Sequence, residues 1–429
     1  MSLAVHEQEA RRLDATDPGH RELFHIPPAA GGPYAEAAYL AGNSLGLQPT
    51  ATREELLADL GAWARLGVDG HLRGERGWLA YHELLTEPAT RLVGALPRET
   101  VAMGSLTVNL HLLMVSFYRP ADDRTRIVVE DSTFPSDSYA VRSQARVHGL
   151  DPDEAVLRLR PRPGEDCLRT EDVVEFLDRE GPSVALVLLG GVNYLTGELM
   201  DMPAITAAAR AVGARVGWDL AHAVGNVPLR LHDWGVDFAA WCSYKYLNGG
   251  PGAVAGVFVH ERHLADGSLP RFEGWWSTEA ATRFEMAPVA RPPATAEAWQ
   301  VSNPPILAMS PVRTSLELFD KVGIAALRTR SRQLTRYLEA LLDRVTARRP
   351  LALITPRDPE RRGAQLSLRV GAQAGSAADL AQRLRDHHGV VADTRVPDIV
   401  RLAPVPLYST YHDCWRAADA LAQLVPEDS

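Results

Sequence analysis

Cysteine is scarce in this chain: Cys167, Cys242 and Cys414 are three in 429 residues, far apart and odd in number. Neither a disulfide framework nor a CxxC metal site is supported, and the three read as reduced core or surface thiols. Positive charge is in deficit as well. With 45 Lys and Arg against 54 Asp and Glu, the formal net charge is -9, and the basic face that a nucleic-acid binder needs is missing. Small anions must therefore be caught by local sites. No eighteen apolar residues run together without charge, so no membrane partner is expected. The start, MSLAVHEQEARRLDATDPGH, lacks an apolar core of signal-peptide length, and the expectation is a cytoplasmic protein. Internal repeats and low-complexity segments are absent too. No spacing of histidines and carboxylates indicates a metal, and none is expected.

What is present is the composition of an ordinary globular enzyme. At this length a single core usually stops growing, so two lobes of unequal size are expected. The central region alternates short apolar runs with helical patterns, the signature of a parallel sheet wrapped by helices. Strands are expected at 126–130 (RIVVE), 185–189 (ALVLL), 214–218 (ARVGW), 238–241 (FAAW) and 253–259 (AVAGVFV). The clearest helix is 202–212, with Pro203 suited to a first turn and Gly213 to a C-terminal end. A long helix over 315–345 is expected to link the lobes. The tail that follows reads strand, strand, helix, strand, a small α+β lobe.

The segment GWDLAHAVGNVPLRLHDWGVDFAAWCSYKYLNGGPG, residues 217–252, carries the chemistry. Asp219 follows one apolar strand and Lys245 another, both at C-terminal strand ends, where open α/β sheets place ligands. An amine that can form an imine and a carboxylate that can pair with a pyridinium nitrogen are the protein groups that pyridoxal-5'-phosphate (PLP) requires. Taken singly, each is more often a solvated loop charge. The glycines of NGGPG permit close backbone approach after the lysine, His222 sits beside Asp219, and the small Ala221 between them leaves room for a flat ring. GGPGAVAG has the wrong spacing for a dinucleotide fingerprint.

The runs YLAGNSLGLQP, GSLTVNLHLLM, FPSDSYA, VNYLTGELMDMPAI, DLAHAVGNVPLRLHDWGVDFAAWCSYKYLNGGPG, VSNPPIL and RLAPVPLY together resemble kynureninase, from about residue 39 to 411. The resemblance implies the α/β fold of PLP-dependent transferases of fold type I, with a mostly parallel central sheet wrapped by helices plus a smaller α+β domain. It divides the chain into an N-terminal segment joining the small domain (1–60), a large PLP-binding domain (61–310) and a C-terminal small domain (311–429). The implied activity is hydrolysis of L-kynurenine or 3-hydroxy-L-kynurenine to an anthranilate and L-alanine in tryptophan degradation, by a homodimer.

Carried over by position, Lys245 is the lysine that holds the cofactor, Asp219 the pyridinium partner and His222 a neighbour on the ring. Tyr244 reaches the phosphate and serves in proton transfer. Leu106 and Thr107 hold the phosphate at a helix N-terminus, where free N–H groups and the helix dipole favour an anion. Phe134 stacks on the ring, with Asp137 nearby. Trp275 and Asn303 complete the cofactor site, in this family partly from the second subunit. Arg401 clamps the substrate carboxylate with a bidentate fork. His71, Ser44 and Asn303 match positions on the substrate side. One departure stands out: where the family carries a hydroxyl before the VNY-like run, this chain has Gly190 and Gly191.

Two other readings share parts of this pattern. A cysteine desulfurase or an aminotransferase uses the same lysine and aspartate, but a desulfurase needs a cysteine on a loop shortly before its carboxylate-binding arginine. No cysteine precedes Arg401 nearby, and Cys414 follows it. A non-catalytic protein that keeps the fold for regulation has no need to retain Lys245, Asp219 and Arg401 together.

Overall fold

The computed structural model describes residues 3–427. Its main sheet has seven strands, in the order Thr100–Ala102, Gly256–Val259, Phe238–Trp241, Arg215–Asp219, Val184–Gly190, Arg126–Glu130 and Val156–Leu159. The five from Phe238–Trp241 to Val156–Leu159 pair in parallel. Gly256–Val259 is antiparallel to both of its neighbours, so the sheet is mostly but not wholly parallel. All five expected strands form, the last shortened to 256–259. The short Thr100–Ala102 and Val156–Leu159 were not expected, since neither VAMG nor VLRLR has a long apolar run.

Both sheet faces are covered, which is why these strands read as continuous apolar runs rather than alternating ones. Val128, Val187, Leu189, Val216, Trp218 and Phe258 face one core. Ile127, Val129, Leu186, Leu188, Phe238 and Val257 face another. Successive residues on one strand thus enter opposite cores, as the period of two demands.

The expected helix over 315–345 is a correction: it is two helices, Ile306–Val322 and Ile324–Thr346, separated by Gly323 at φ +83° and ψ 131°. That backbone is left-handed and unfavourable for a residue with a Cβ, so glycine ends the first helix there. The second helix starts in the core under the main sheet, with Leu327, and passes into another further along. Met309, Val312, Leu316 and Phe319 pack under the main sheet, whereas Leu334, Leu338, Leu341 and Leu342 belong to a third core. Lining that third core is an antiparallel sheet of four strands, Asp393–Arg395, Ile399–Leu402, Leu366–Val370 and Leu351–Leu353 in spatial order. Helices Ala377–His388 and Tyr411–Leu424 cover it, and Leu3, Ala10, Ala38 and Leu40 reach it from the N-terminal region. Phe24 and Leu47, by contrast, join the core under the main sheet.

The seam between the two sheets runs through residues 194–196. The Tyr194 carbonyl accepts from Gln365 Nε2 at 3.0 Å, Leu195 from Ser367 Oγ at 2.6 Å, and Thr196 from Thr355 Oγ1 at 2.5 Å. These three donors all come from the small sheet and its flanking turns.

Candidate active site

A cavity of about 230 Å³ opens at the C-terminal ends of strands Arg126–Glu130, Val184–Gly190 and Arg215–Asp219. Its other walls are the turn carrying Tyr244 and Lys245 and the first residues of helices Leu106–Phe117 and Pro135–Val147. Eight residues singled out from sequence line it together: Leu106, Thr107, Phe134, Asp137, Asp219, His222, Tyr244 and Lys245. They come from segments more than a hundred residues apart, gathered by the parallel crossovers.

Lys245 Nζ stands 5.8 Å from the Phe134 ring centre and 5.9 Å from that of Tyr244. Asp219 ends its strand, buried, with Oδ1 accepting the Ala221 amide at 2.7 Å. Asp137 hydrogen-bonds to it; burial and then the Asp219 charge push the Asp137 carboxyl well above its usual range. Asp137 is therefore the member of this contact that holds and donates a proton. His222 is pushed well below its ordinary value by burial, then by Lys245, Arg401 and Arg395, so the ring is neutral. The Tyr244 hydroxyl is held protonated at neutral pH, mainly by burial and then by Cys242 and Asp219. Helix Leu106–Phe117 begins after Ser105 with no side chain capping its amides. Those free N–H groups face the cavity beside Thr107, an anion cradle in an acidic protein.

The other five sequence candidates lie outside the cavity lining. Arg401 is fully buried at the centre of strand Ile399–Leu402, donating to the Tyr194 carbonyl at 2.6 Å and paired with Asp393. Its Nε is buried without a partner among the described residues. His71 is exposed, edge-on to Trp78. Trp275 packs edge-on against Phe284 and is 39% exposed. Asn303 is exposed and Ser44 half-buried.

The sequence reading gave Glu130, Asn193 and Tyr194 no role, yet they line the cavity together with Gly190, the position already noted as lacking the family's hydroxyl. Glu130 could have been found, because it ends its strand as Asp219 ends its own. RIVVE was read as a strand and its terminal charge not asked for a role. Outside the cavity, Glu99 gathers His232 and His260. Its oxygens already accept from the Leu96 and Glu261 amides, and the two imidazoles stack 21° apart. Nearly parallel rings do not aim two nitrogen lone pairs at one point, so this cluster reads as a hydrogen-bonded network.

The three thiols bear on the desulfurase alternative. Cys414 is buried in helix Tyr411–Leu424 and Cys242 behind the lysine turn. Cys167 donates to the Ile354 carbonyl, and its thiol is pushed up to about 12, mostly by burial. None is a thiolate poised at the cavity.

Solved structures share this architecture. A cystine C-S lyase in complex with cysteine persulfide superposes with a TM-score of 0.77 at 17% identity, over 91% of this chain and 99% of the other. An apo cysteine desulfurase from Thermococcus onnurineus gives 0.74 at 16% identity, over 91% and 94%. Fold and cavity together define a PLP-dependent enzyme of fold type I. Sequence relatives narrow the class. A kynureninase from Salinispora tropica is 76% identical over 99% of this chain and 98% of its own, and one from Myxococcus xanthus 56% identical over 97% and 96%. The family model of the kynureninase C-terminal domain matches residues 327–421. The chain belongs to the kynureninase family, PLP-dependent hydrolases that cleave the Cβ–Cγ bond of kynurenines.

Proposed function

We propose that the cavity between Asp219 and Lys245 is where this cleavage takes place. One observation carries the reading: an amine, a buried carboxylate, a neutral imidazole and an open helix N-terminus line a single cavity at the strand ends. The donor set fits PLP: one lysine amine, the Asp219 carboxylate with Asp137 and Glu130 beside it, and an uncapped helix N-terminus for the phosphate share one cavity. When bound, the cofactor supplies an electron sink for the pairs released at Cα and then at Cβ. The chain does the rest. Lys245 holds the cofactor and moves the proton at Cα, while Asp219, supported by Asp137, holds the proton on the ring nitrogen. Leu106 and Thr107 bind the phosphate, and Phe134 and His222 flank the ring. Tyr244, its hydroxyl kept protonated, donates to Cβ as the anthranilate departs. Arg401 takes the substrate's α-carboxylate. Borohydride reduction of the loaded protein followed by peptide mapping tests this: the label is expected on Lys245, and attachment to any other lysine or to none contradicts the assignment.

The working unit we infer is a cytoplasmic homodimer acting in tryptophan breakdown and so feeding NAD biosynthesis. No helix among the described residues is long and apolar enough to cross a membrane. Trp63, Val68, Leu72, Phe272, Phe284 and Met286 are exposed apolar side chains that a partner subunit could cover. His71 and Trp275 lie among them in sequence, which supports their reaching the partner's cavity, with Asn303 beside them and Ser44 on the substrate side. The division at 1–60, 61–310 and 311–429 stays a proposal in the same sense, with residues 1, 2, 428 and 429 outside those described.

His71 and Asn303 can each donate or accept a hydrogen bond at a 3-hydroxyl. Replacing Asn303 by leucine is expected to move the ratio of kcat/KM for 3-hydroxykynurenine and kynurenine toward kynurenine by about 1 to 3 kcal/mol, the range for an unsatisfied buried polar group. The assay is run at saturating PLP. An unchanged ratio in both the Asn303 and His71 variants places ring specificity elsewhere.

A further inference from the structure

We propose that Glu130 is a positioning residue of this site, acting through Asn193 to hold segment 194–196 against Arg401 and so setting the grip on the substrate's α-carboxylate. The inference rests on the reading of Arg401 given above.

The connection is continuous. Glu130 ends strand Arg126–Glu130 and is 3% exposed. Its Oε2 accepts from Asn193 Nδ2 at 2.6 Å and its Oε1 from the Gly190 amide at 3.0 Å. The other end of Asn193 is equally committed, Oδ1 accepting the Leu195 and Thr196 amides at 2.9 and 3.0 Å and the Thr196 hydroxyl at 3.2 Å. Asn193 is therefore a clip whose loop side shapes residues 194–196 and whose sheet side hangs on Glu130 and the Ser132 hydroxyl. On its far side the same segment meets Arg401, whose guanidinium donates to the Tyr194 carbonyl. The guanidinium is held at two points, the Tyr194 carbonyl and Asp393, so a displaced carbonyl costs it one of its two anchors.

Gly190 makes the arrangement possible. A Cβ there would stand 3.1 Å from Glu130 Oε1, closer than ordinary packing allows, so the carboxylate lies where a side chain would otherwise be. Both carboxylate oxygens face N–H donors. A neutral amide or a protonated acid presents a hydrogen to one of them and loses that bond. The surrounding carboxyls are Asp219 on the next strand but one, Asp137 on helix Pro135–Val147 and Glu198 beyond the loop, with the Tyr194 hydroxyl also near. Burial is the largest influence and, with the Glu198 and Asp219 charges, outweighs the Asn193 and Gly190 hydrogen bonds and brings Glu130 to about 7. The charge that holds the clip is complete above that pH and fades below it.

The test uses the loaded enzyme with Glu130→Gln, Gly190→Ala and Arg401→Lys. L-Alanine, the carboxylate-bearing product, serves as probe, its binding read from the cofactor's visible absorbance; amide exchange of residues 193–196 is followed with and without PLP. In E130Q we expect alanine affinity about tenfold weaker, the cost of one hydrogen bond to a charged group, and faster exchange at Leu195 and Thr196. KM should rise more than kcat falls, and the wild-type rise in KM below about pH 7 should flatten. G190A, which presses on the same oxygen, is expected to act in the same direction and stands in should E130Q fail to fold. Normal alanine affinity and normal exchange in E130Q or G190A, beside weakened binding in R401K, overturn the role of Glu130. Normal alanine affinity in R401K instead overturns the reading of Arg401 itself.

Discussion

Lys245→Ala abolishes the visible absorbance of the bound cofactor and lowers turnover by at least about 10³-fold, because proton transfer by a positioned side chain alone accounts for about 10² to 10⁴ and the covalent hold is lost with it. The fold is expected to survive. Lys245 is half-buried, with its Nζ over the Phe134 and Tyr244 rings at 5.8 and 5.9 Å and no salt bridge or side-chain hydrogen bond of its own among the described residues. Circular dichroism checks the fold while absorbance and kynurenine turnover check the role. A variant that keeps both the wild-type spectrum and wild-type turnover refutes the assignment.

Asp219→Asn keeps the size of the side chain and removes the charge that would pair with the protonated ring nitrogen. Removal of one preorganised electrostatic group costs about 2.7 to 4 kcal/mol of transition-state stabilisation, or about 10² to 10³ in kcat. Asp137 modulates this. It is held protonated by burial and by the Asp219 charge, so in D219N its own carboxyl titrates lower and recovers part of the lost field as pH rises. Kinetics of D219N across pH, with and without Asp137→Asn, check both statements: the single variant should recover with rising pH and the double variant should not. A wild-type rate in D219N excludes the role of Asp219.

Two of the candidates that share the cavity carry a local signature in the sequence. Asp219 and Lys245 stand at the ends of apolar runs, so strand-end logic brings them together from sequence alone, whereas Leu106 and Thr107 entered only through the resemblance to kynureninase. Arg401 has no such signature. It sits in mid-strand, opposite Ser367 and Asp393 in register, and only the pairing of segments distant in sequence brings it to the Tyr194 carbonyl. His71, Trp275 and Asn303 are exposed on one chain, and no periodicity reports what an exposed side chain meets. The broken helix at Gly323 shows the same limit in the fold. Helical spacing continues on both sides of the break, and the change of core beyond it is a tertiary event. The two short strands were missed because burial there comes from neighbours rather than from their own apolar length.

The measurement that bears most directly on the central claim is a product balance. The purified, PLP-loaded protein is incubated with L-kynurenine and, separately, with 3-hydroxy-L-kynurenine, and the aryl amine and alanine released are quantified together. Anthranilate or 3-hydroxyanthranilate and L-alanine in equal amounts, lost together in Lys245→Ala, are the result expected of hydrolysis at Cβ–Cγ in this cavity. Turnover of either substrate without matching alanine, or equal release that persists in Lys245→Ala, would contradict it.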